Sequence, residues 1–202
     1  MGDACCGKTV EVQALQARQR RVLVTVMLVN FLAFAMMVAA AWYSGSSSLL
    51  SGGLDNFGDA LTYALSLAVV GASVRAKARV SVVKGLLILG AALGVAAQVA
   101  WRIAHPATPI FEAMGGAALL NLAANGFCLW LLTPHRHADI NMASVWECSR
   151  NDVAEGFAVI AAAALVGWFG SGWPDLVVAT ALLLLFLRSA WRILAASRRE
   201  LQ

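Results

Sequence analysis

Six long apolar runs, separated by short polar segments, are the feature that most constrains what this chain can fold into. They fall at residues 22–43, 54–74, 80–101, 111–132, 143–169 and 174–194. A helix of roughly 20 apolar residues crosses a hydrocarbon core of about 30 Å. The runs are continuous rather than alternating, which favours helices over the strands of a barrel. The sequence therefore predicts an all-α, polytopic membrane protein, a bundle of six transmembrane helices.

Composition and length agree with this fold class. Hydrophobic residues make up 60% of the 202 positions and charged residues 13%, which is outside the balance of a soluble globular domain. We expect a cytoplasmic N-terminal tail at 1–21, one six-helix transmembrane domain at 22–195 and a short cytoplasmic tail at 196–202. The first run is about twice as long as the apolar part of a signal peptide, so we expect an uncleaved first span.

The basic residues sort to one side of the predicted membrane. That side holds Arg18, Arg20 and Arg21, then Arg75, Lys77, Arg79 and Lys84, then Arg136, and finally Arg198 and Arg199. The opposite loops hold one basic residue, Arg102. Because basic loops stay in the cytoplasm, we expect both termini there and the chain in the inner (cytoplasmic) membrane. The net charge of +4 comes from these short runs, so nucleic acid is not an expected partner.

Two carboxylates interrupt the second run. Asp55 and Asp59 are four residues apart, which places both on one helix face, one turn from each other. Ionisable groups inside a span are unfavourable unless they pair, bind an ion or face water, and two like charges at this spacing favour a shared cation. The alternative is that Asp55 caps the helix after Gly52 and Gly53, with Asp59 in a wet outer vestibule.

The fifth run repeats the spacing with Cys148 and Asp152. A thiolate together with carboxylates makes a plausible tetrahedral set for zinc or a softer divalent ion, although a buried Cys is more often a small hydrophobic residue. Spans two and five run in opposite directions. Counted at 1.5 Å per residue, Asp59 lies about 24 Å from Arg75 and Asp152 about 20 Å from Asp139, which predicts similar depths.

The segments 54–59 (Leu-Asp-Asn-Phe-Gly-Asp) and 149–153 (Ser-Arg-Asn-Asp-Val) resemble the cation diffusion facilitator family of metal–proton antiporters. The resemblance covers essentially all six spans. That family has paired acidic residues in span two and a His or Asp followed four residues later by Asp in span five. The resemblance implies that Asp55, Asp59 and Asp152 are metal ligands, with Cys148 where the family most often has His or Asp.

The resemblance also sets the functional expectations. It implies that the domain at 22–195 is a divalent cation efflux transporter, a metal/proton antiporter rather than an enzyme, without a resident cofactor. Zn²⁺ is the favoured cargo, and Cd²⁺ or Co²⁺ are possible. Family members usually add a cytoplasmic C-terminal domain, whereas this chain ends at Gln202, so we expect a short form that forms a homodimer through its membrane part.

Two other function classes remain open on the sequence. A passive divalent-cation channel is the closer alternative, because carboxylate rings also line cation pores. An intramembrane enzyme would need a nucleophile with a base or a catalytic metal motif. The three histidines, His105, His135 and His137, all lie outside the predicted spans, so this alternative is weak.

Several polar residues near the predicted site have expected roles of their own. Glu155 could accept protons, but an ion pair with Arg150 is the preferred interpretation. Asn121 and Asn125 share a face of span four, where hydrogen bonds between helices are expected. Asp175 fits the first turn of span six, where a carboxylate meets the helix dipole.

Two groups outside the spans are candidate accessory metal ligands. Cys5 and Cys6 could capture a soft metal before transport, or they could be ordinary reduced thiols. His135 and His137 could form an accessory site with Asp139, but a solvated loop is the preferred interpretation.

Overall fold

The computed structural model describes residues 3–68, 74–137 and 140–201. These residues form six α-helices and one short 3₁₀ turn, and no strand occurs among them. The elements are α1 (Asp3–Ser44), α2 (Ser47–Ala68), α3 (Val74–Ala104), α4 (Phe111–Leu132), the 3₁₀ turn (Thr133–His135), α5 (Ile140–Phe169) and α6 (Trp173–Leu201). The predicted all-α fold is confirmed, with one helix for each predicted span.

The structure has the predicted number of helices, but several helices begin or end at other residues than predicted. α4 has the predicted bounds, whereas α1 begins at Asp3 and so includes most of the segment predicted as a tail. α2 begins at Ser47, seven residues before the predicted start of span two. The serine-rich segment before the predicted span two is therefore helical from Ser47 onward.

The early start of α2 depends on a carboxylate from another helix. Asp175, in the first turn of α6, is 2% exposed. It accepts hydrogen bonds from Ser46 Oγ at 2.5 Å, Ser47 N at 2.7 Å, Ser48 N at 3.0 Å and Ser48 Oγ at 2.6 Å. The first backbone N–H groups of a helix lack intrahelical acceptors and favour negative charge. Asp175 therefore lies in the first turn of α6, as predicted, and also caps α2. The capping of α2 was not predicted from the sequence.

Four stretches within the described residues are long and apolar enough to cross a membrane. They are Ala17–Ser44, Gly85–Ala104, Phe111–His135 and Val145–Phe169. α2 and α6 do not meet that criterion there. In α2 the cause is visible, because Asp55, Asn56 and Asp59 interrupt its apolar sequence.

Exposed tryptophans mark two levels of the bundle. Trp42, Trp101, Trp168 and Trp173 lie near the end with the α1–α2, α3–α4 and α5–α6 connections, here called the α1–α2 end, and are 60–90% exposed. Trp130 and Trp191 lie near the opposite end and are 68% and 75% exposed. On α6, Trp173 and Trp191 are about 27 Å apart at 1.5 Å per residue. Two aromatic belts separated by the thickness of a hydrocarbon core are typical of a membrane-spanning bundle.

α2 occupies the centre of the bundle. It packs against α1, α3, α5 and α6, while α4 packs on α5 and α3 on α6. Gly52 and Gly53 let α1 approach, because a Cβ there would lie 3.2 Å and 3.1 Å from side-chain atoms of Met37. Small residues allow such close helix contact in membranes.

An apolar cluster fills the half of the bundle nearer the α1–α2 end. This Met37 cluster comprises Met37, Ala41, Leu49, Met114, Ala117, Ala118, Val159, Ala162, Ala163, Val166 and Leu182. Its members come from five helices, α1, α2, α4, α5 and α6. The described side chains therefore pack the centre of this half of the bundle with apolar groups.

We predict that Asp175→Ala lowers the free energy of unfolding by about 2 kcal/mol, because it removes a helix cap and leaves buried donors without an acceptor. The measurement is reversible unfolding in mixed micelles, followed by circular dichroism. Glu112→Ala is the matched control, since Glu112 is an exposed carboxylate in the first turn of α4. Equal stability of the two variants would contradict the capping role.

Candidate metal site

The structure brings Asp55 of α2 and Asp152 of α5 together inside the bundle. Their carboxyl groups are in hydrogen-bond contact, and Asp152 is only 6% exposed. Asp55 lies in the interior of α2, two turns after Ser47, so the alternative that it caps this helix is wrong. The two helices present these carboxyls at the same depth, which agrees with the residue counts along the antiparallel spans.

Asp59 and Cys148 belong to the same neighbourhood. Asp152 interacts electrostatically with Asp59 and Cys148 as well as with Asp55. Each helix contributes two side chains four residues apart, which keeps both on the face turned toward the other helix. All four predicted ligands thus lie in one polar patch between α2 and α5.

The patch is not arranged as a closed metal cage. Among the described residues, no three His, Cys, Asp or Glu side chains are positioned to hold one metal ion together. Oδ2 of Asp152 is buried and has no hydrogen-bond partner in the described part of the chain. A buried carboxylate oxygen of this kind needs a proton donor or a cation, and carboxylate with thiolate suits a divalent ion chemically.

Tyr63 was missed by the sequence analysis. Its hydroxyl donates a hydrogen bond of 2.8 Å to Oδ2 of Asp59, and its side chain is fully buried. The signal was present in the sequence, because Tyr63 follows Asp59 by four residues and so lies on the same helix face. Tyr63 fixes the orientation of the Asp59 carboxylate.

An amide pair ties α2 to α4 beside the carboxyls. Asn56 Nδ2 donates to Oδ1 of Asn121 at 2.8 Å and also contacts the Gly52 carbonyl at 3.1 Å. The interhelical hydrogen bond expected of Asn121 is confirmed. Asn125 is buried on the same face of α4, and its Oδ1 has no partner among the described residues.

Glu155 faces the acidic patch rather than Arg150. It interacts electrostatically with Asp55 and Asp59, whereas the Arg150 guanidinium lies over the ring of Trp146, 5.4 Å from its centroid. No ion pair joins Glu155 and Arg150 in the part of the chain that the structure describes, so the preferred pairing is wrong. Five helical residues place two side chains about 140° apart around the axis, which explains the separation.

The accessory candidates are only partly described. His135 is buried at the end of the 3₁₀ turn, so it does not belong to a solvated loop, and exposed His137 Nε2 accepts a hydrogen bond of 2.9 Å from Arg136 Nε. Asp139 and the side chains of Cys5 and Cys6 lie outside the described residues. The accessory roles stay predictions.

Fold and site together define an integral membrane protein with an acidic, thiol-containing patch between two helices of its bundle. The family model described as the cation efflux transmembrane domain matches residues 23–202. The chain therefore belongs to the cation efflux family, which is a family of cation transporters. No curated protein matches the sequence significantly.

We predict that Tyr63→Phe weakens metal affinity about tenfold, because hydrogen-bond partners that orient ligands typically contribute 10–100-fold. The half-saturating metal concentration for transport should rise while the maximal rate stays near that of the parent protein. Tyr43→Phe is the matched control, since Tyr43 is the only other tyrosine and is 72% exposed. An unchanged half-saturating concentration in Tyr63→Phe would contradict the orienting role.

Proposed function

We propose that this cation transporter exports divalent metal ions, with Zn²⁺ or Cd²⁺ as preferred cargo, in exchange for protons. Asp55, Asp59, Cys148 and Asp152 are the proposed ligands, and no resident cofactor is required. The observation that carries the proposal is the carboxyl pair of Asp55 and Asp152, with one oxygen of Asp152 left without a partner among the described residues. A metal ion between α2 and α5 would satisfy both groups.

The same pair supports the exchange of metal for protons. Two carboxyl groups share a hydrogen bond only when one of them carries the proton. Carboxylates and thiolates must lose their protons before they bind a metal. An arriving metal would therefore compete with protons for the same carboxyl groups.

The packing supports a direction of access. The Met37 cluster lies between the carboxyl pair and the α1–α2 end, so the described residues close that route. The basic residues Arg18, Arg20, Arg21 and Arg136 lie toward the opposite end. On the basis of the positive-inside rule, we propose that this end faces the cytoplasm, with both termini there and cargo entry on the cytoplasmic side of the inner membrane.

The Met37 cluster also bears on the alternative that the protein is a passive channel. A passive channel would need a continuous wet route past the carboxylates, and the Met37 cluster would interrupt it. An exporter instead opens the cluster only when the cytoplasmic side closes, as in the rocking of helices around a fixed site. We further propose that a second copy associates through the membrane domain.

We predict that Asp59→Ala and Asp152→Ala each reduce the initial rate of Zn²⁺ uptake into proteoliposomes at least tenfold, roughly the effect of losing a ligand contact. An imposed pH gradient should drive uptake by the parent protein, with measurable proton counterflow. Glu147→Gln is the control, because Glu147 is an exposed carboxylate beside Cys148 on α5. Parent rates in both Asp variants would exclude the four-ligand site, and uptake without proton counterflow would indicate a channel.

We predict that Cys148 sets metal preference, because a thiolate favours zinc and cadmium over ions that prefer oxygen. Cys148→Asp should keep transport while shifting preference toward manganese or cobalt, and Cys148→His should keep zinc but weaken cadmium. Competition between metals in the uptake assay measures the ranking. Cys128→Ala controls for loss of a thiol elsewhere in the spans and should leave the ranking unchanged. If both Cys148 variants keep the parent ranking, Cys148 is a packing residue.

A further inference from the structure

Arg102 is a cation at the α1–α2 end of the bundle. It lies in the last turn of α3, beside Trp101, and it is the one basic residue of the loops predicted at that end. Its Nε is buried and has no hydrogen-bond partner among the described residues. A guanidinium is always charged and carries five N–H donors, so a buried donor without an acceptor is unfavourable. An anion beside Arg102 would accept a hydrogen bond from this Nε.

The backbone of the turn between α1 and α2 lies against this guanidinium. A side chain at Gly45 would overlap the Arg102 guanidinium, and Gly45 also has a φ of 73°, which side-chain-bearing residues rarely adopt. The backbone of Gly45 therefore forms one wall against the cation. Nothing on this wall supplies a negative charge.

An open groove runs from Arg102 toward the bundle interior. α1 packs on α2 and α4, and α3 packs on α6 and α2, so α1 and α3 stand apart with α2 between them. The cavity there has a volume of about 270 Å³. Besides Gly45, it is lined by Val38, Ala41, Trp42, Leu50, Gln98 and Arg102. The Arg102 groove thus has an apolar wall and one cationic end.

We propose that the Arg102 groove binds a phospholipid, with its phosphate diester on the Arg102 guanidinium and an acyl chain along Val38 and Leu50. Guanidinium pairs with phosphate through strong, charge-assisted hydrogen bonds. Trp42 is 90% exposed and Trp101 60% exposed, and exposed tryptophans sit at the level of lipid headgroups. A soluble anion would use the charge but leave the apolar wall uncovered, whereas a phospholipid satisfies both.

Room for the headgroup exists on the other side of Arg102. A second cavity of about 150 Å³ is shared by Arg102 with the α3–α4 and α5–α6 connections. Its lining includes the polar residues Thr108 and Ser171. The phosphate would then sit between a groove for the acyl chain and a second cavity with room for the headgroup. The site is argued from the fold alone, and its occupancy can be measured without a transport assay.

The test uses the purified full chain, delipidated in detergent and titrated with phosphatidylglycerol under native mass spectrometry. The expected result is one tightly held lipid per chain, with an apparent Kd about tenfold higher in Arg102→Gln. Arg136→Gln is the matched control, because it removes one positive charge at the opposite end and should bind like the parent protein. Equal retention in Arg102→Gln and Arg136→Gln would mean adventitious lipid only and would overturn the site.

Three further arms separate lipid from other occupants. Inorganic phosphate at the same concentration and a diacylglycerol without phosphate should each fail to compete, and competition by either would overturn the phospholipid assignment. Val38→Phe keeps Arg102 but narrows the groove, so it should weaken lipid binding even if Arg102→Gln folds poorly. Circular dichroism checks that each variant is folded. A lipid-free dimer as the dominant species would assign the groove to a second copy instead.

Discussion

The contact between the carboxyl groups of Asp55 and Asp152 is the interaction around which the proposed metal site is built. Two acidic groups buried between apolar helices are tolerated only with a shared proton or a cation between them. The contact agrees with the depth at which α5 lies against α2. Asp59 and Cys148, one turn away on the same faces, take their places from this register.

Polar contacts hold α2 at several points along its length. Asp175 caps the start of α2, Asn56 ties its middle to Asn121 of α4, and Tyr63 orients the Asp59 carboxylate. Hydrogen bonds between buried groups are directional, so they specify position. The Met37 cluster is apolar, like the lipid around the bundle. It therefore gives a helix little preference for one rotation about its axis.

The sequence predicts features that neighbouring residues determine, and it misses contacts between residues far apart in the chain. α4 has its predicted bounds because Pro109 precedes its start and Pro134 follows its end. The start of α2 is misplaced because its cap, Asp175, lies 127 residues from Ser48, and no local pattern announces such a partner. The four predicted ligands lie on the facing sides of α2 and α5 because helical spacing and antiparallel direction are both readable from sequence. The Glu155 pairing fails because angular position around a helix outweighs nearness in sequence.

α2 is the element through which distant parts of the molecule are coupled. Its first residues are held by Asp175, Leu50 lines the Arg102 groove, and Asp55 and Asp59 follow within the next three turns. A helix transmits a displacement along its axis more readily than it bends, unless it is broken by proline or inserted water, and α2 contains no proline. Packed interfaces also tend to switch between discrete arrangements rather than deform continuously. Movement that separates Asp55 from Asp152 must therefore also alter the cap at Asp175 and the groove beside Leu50.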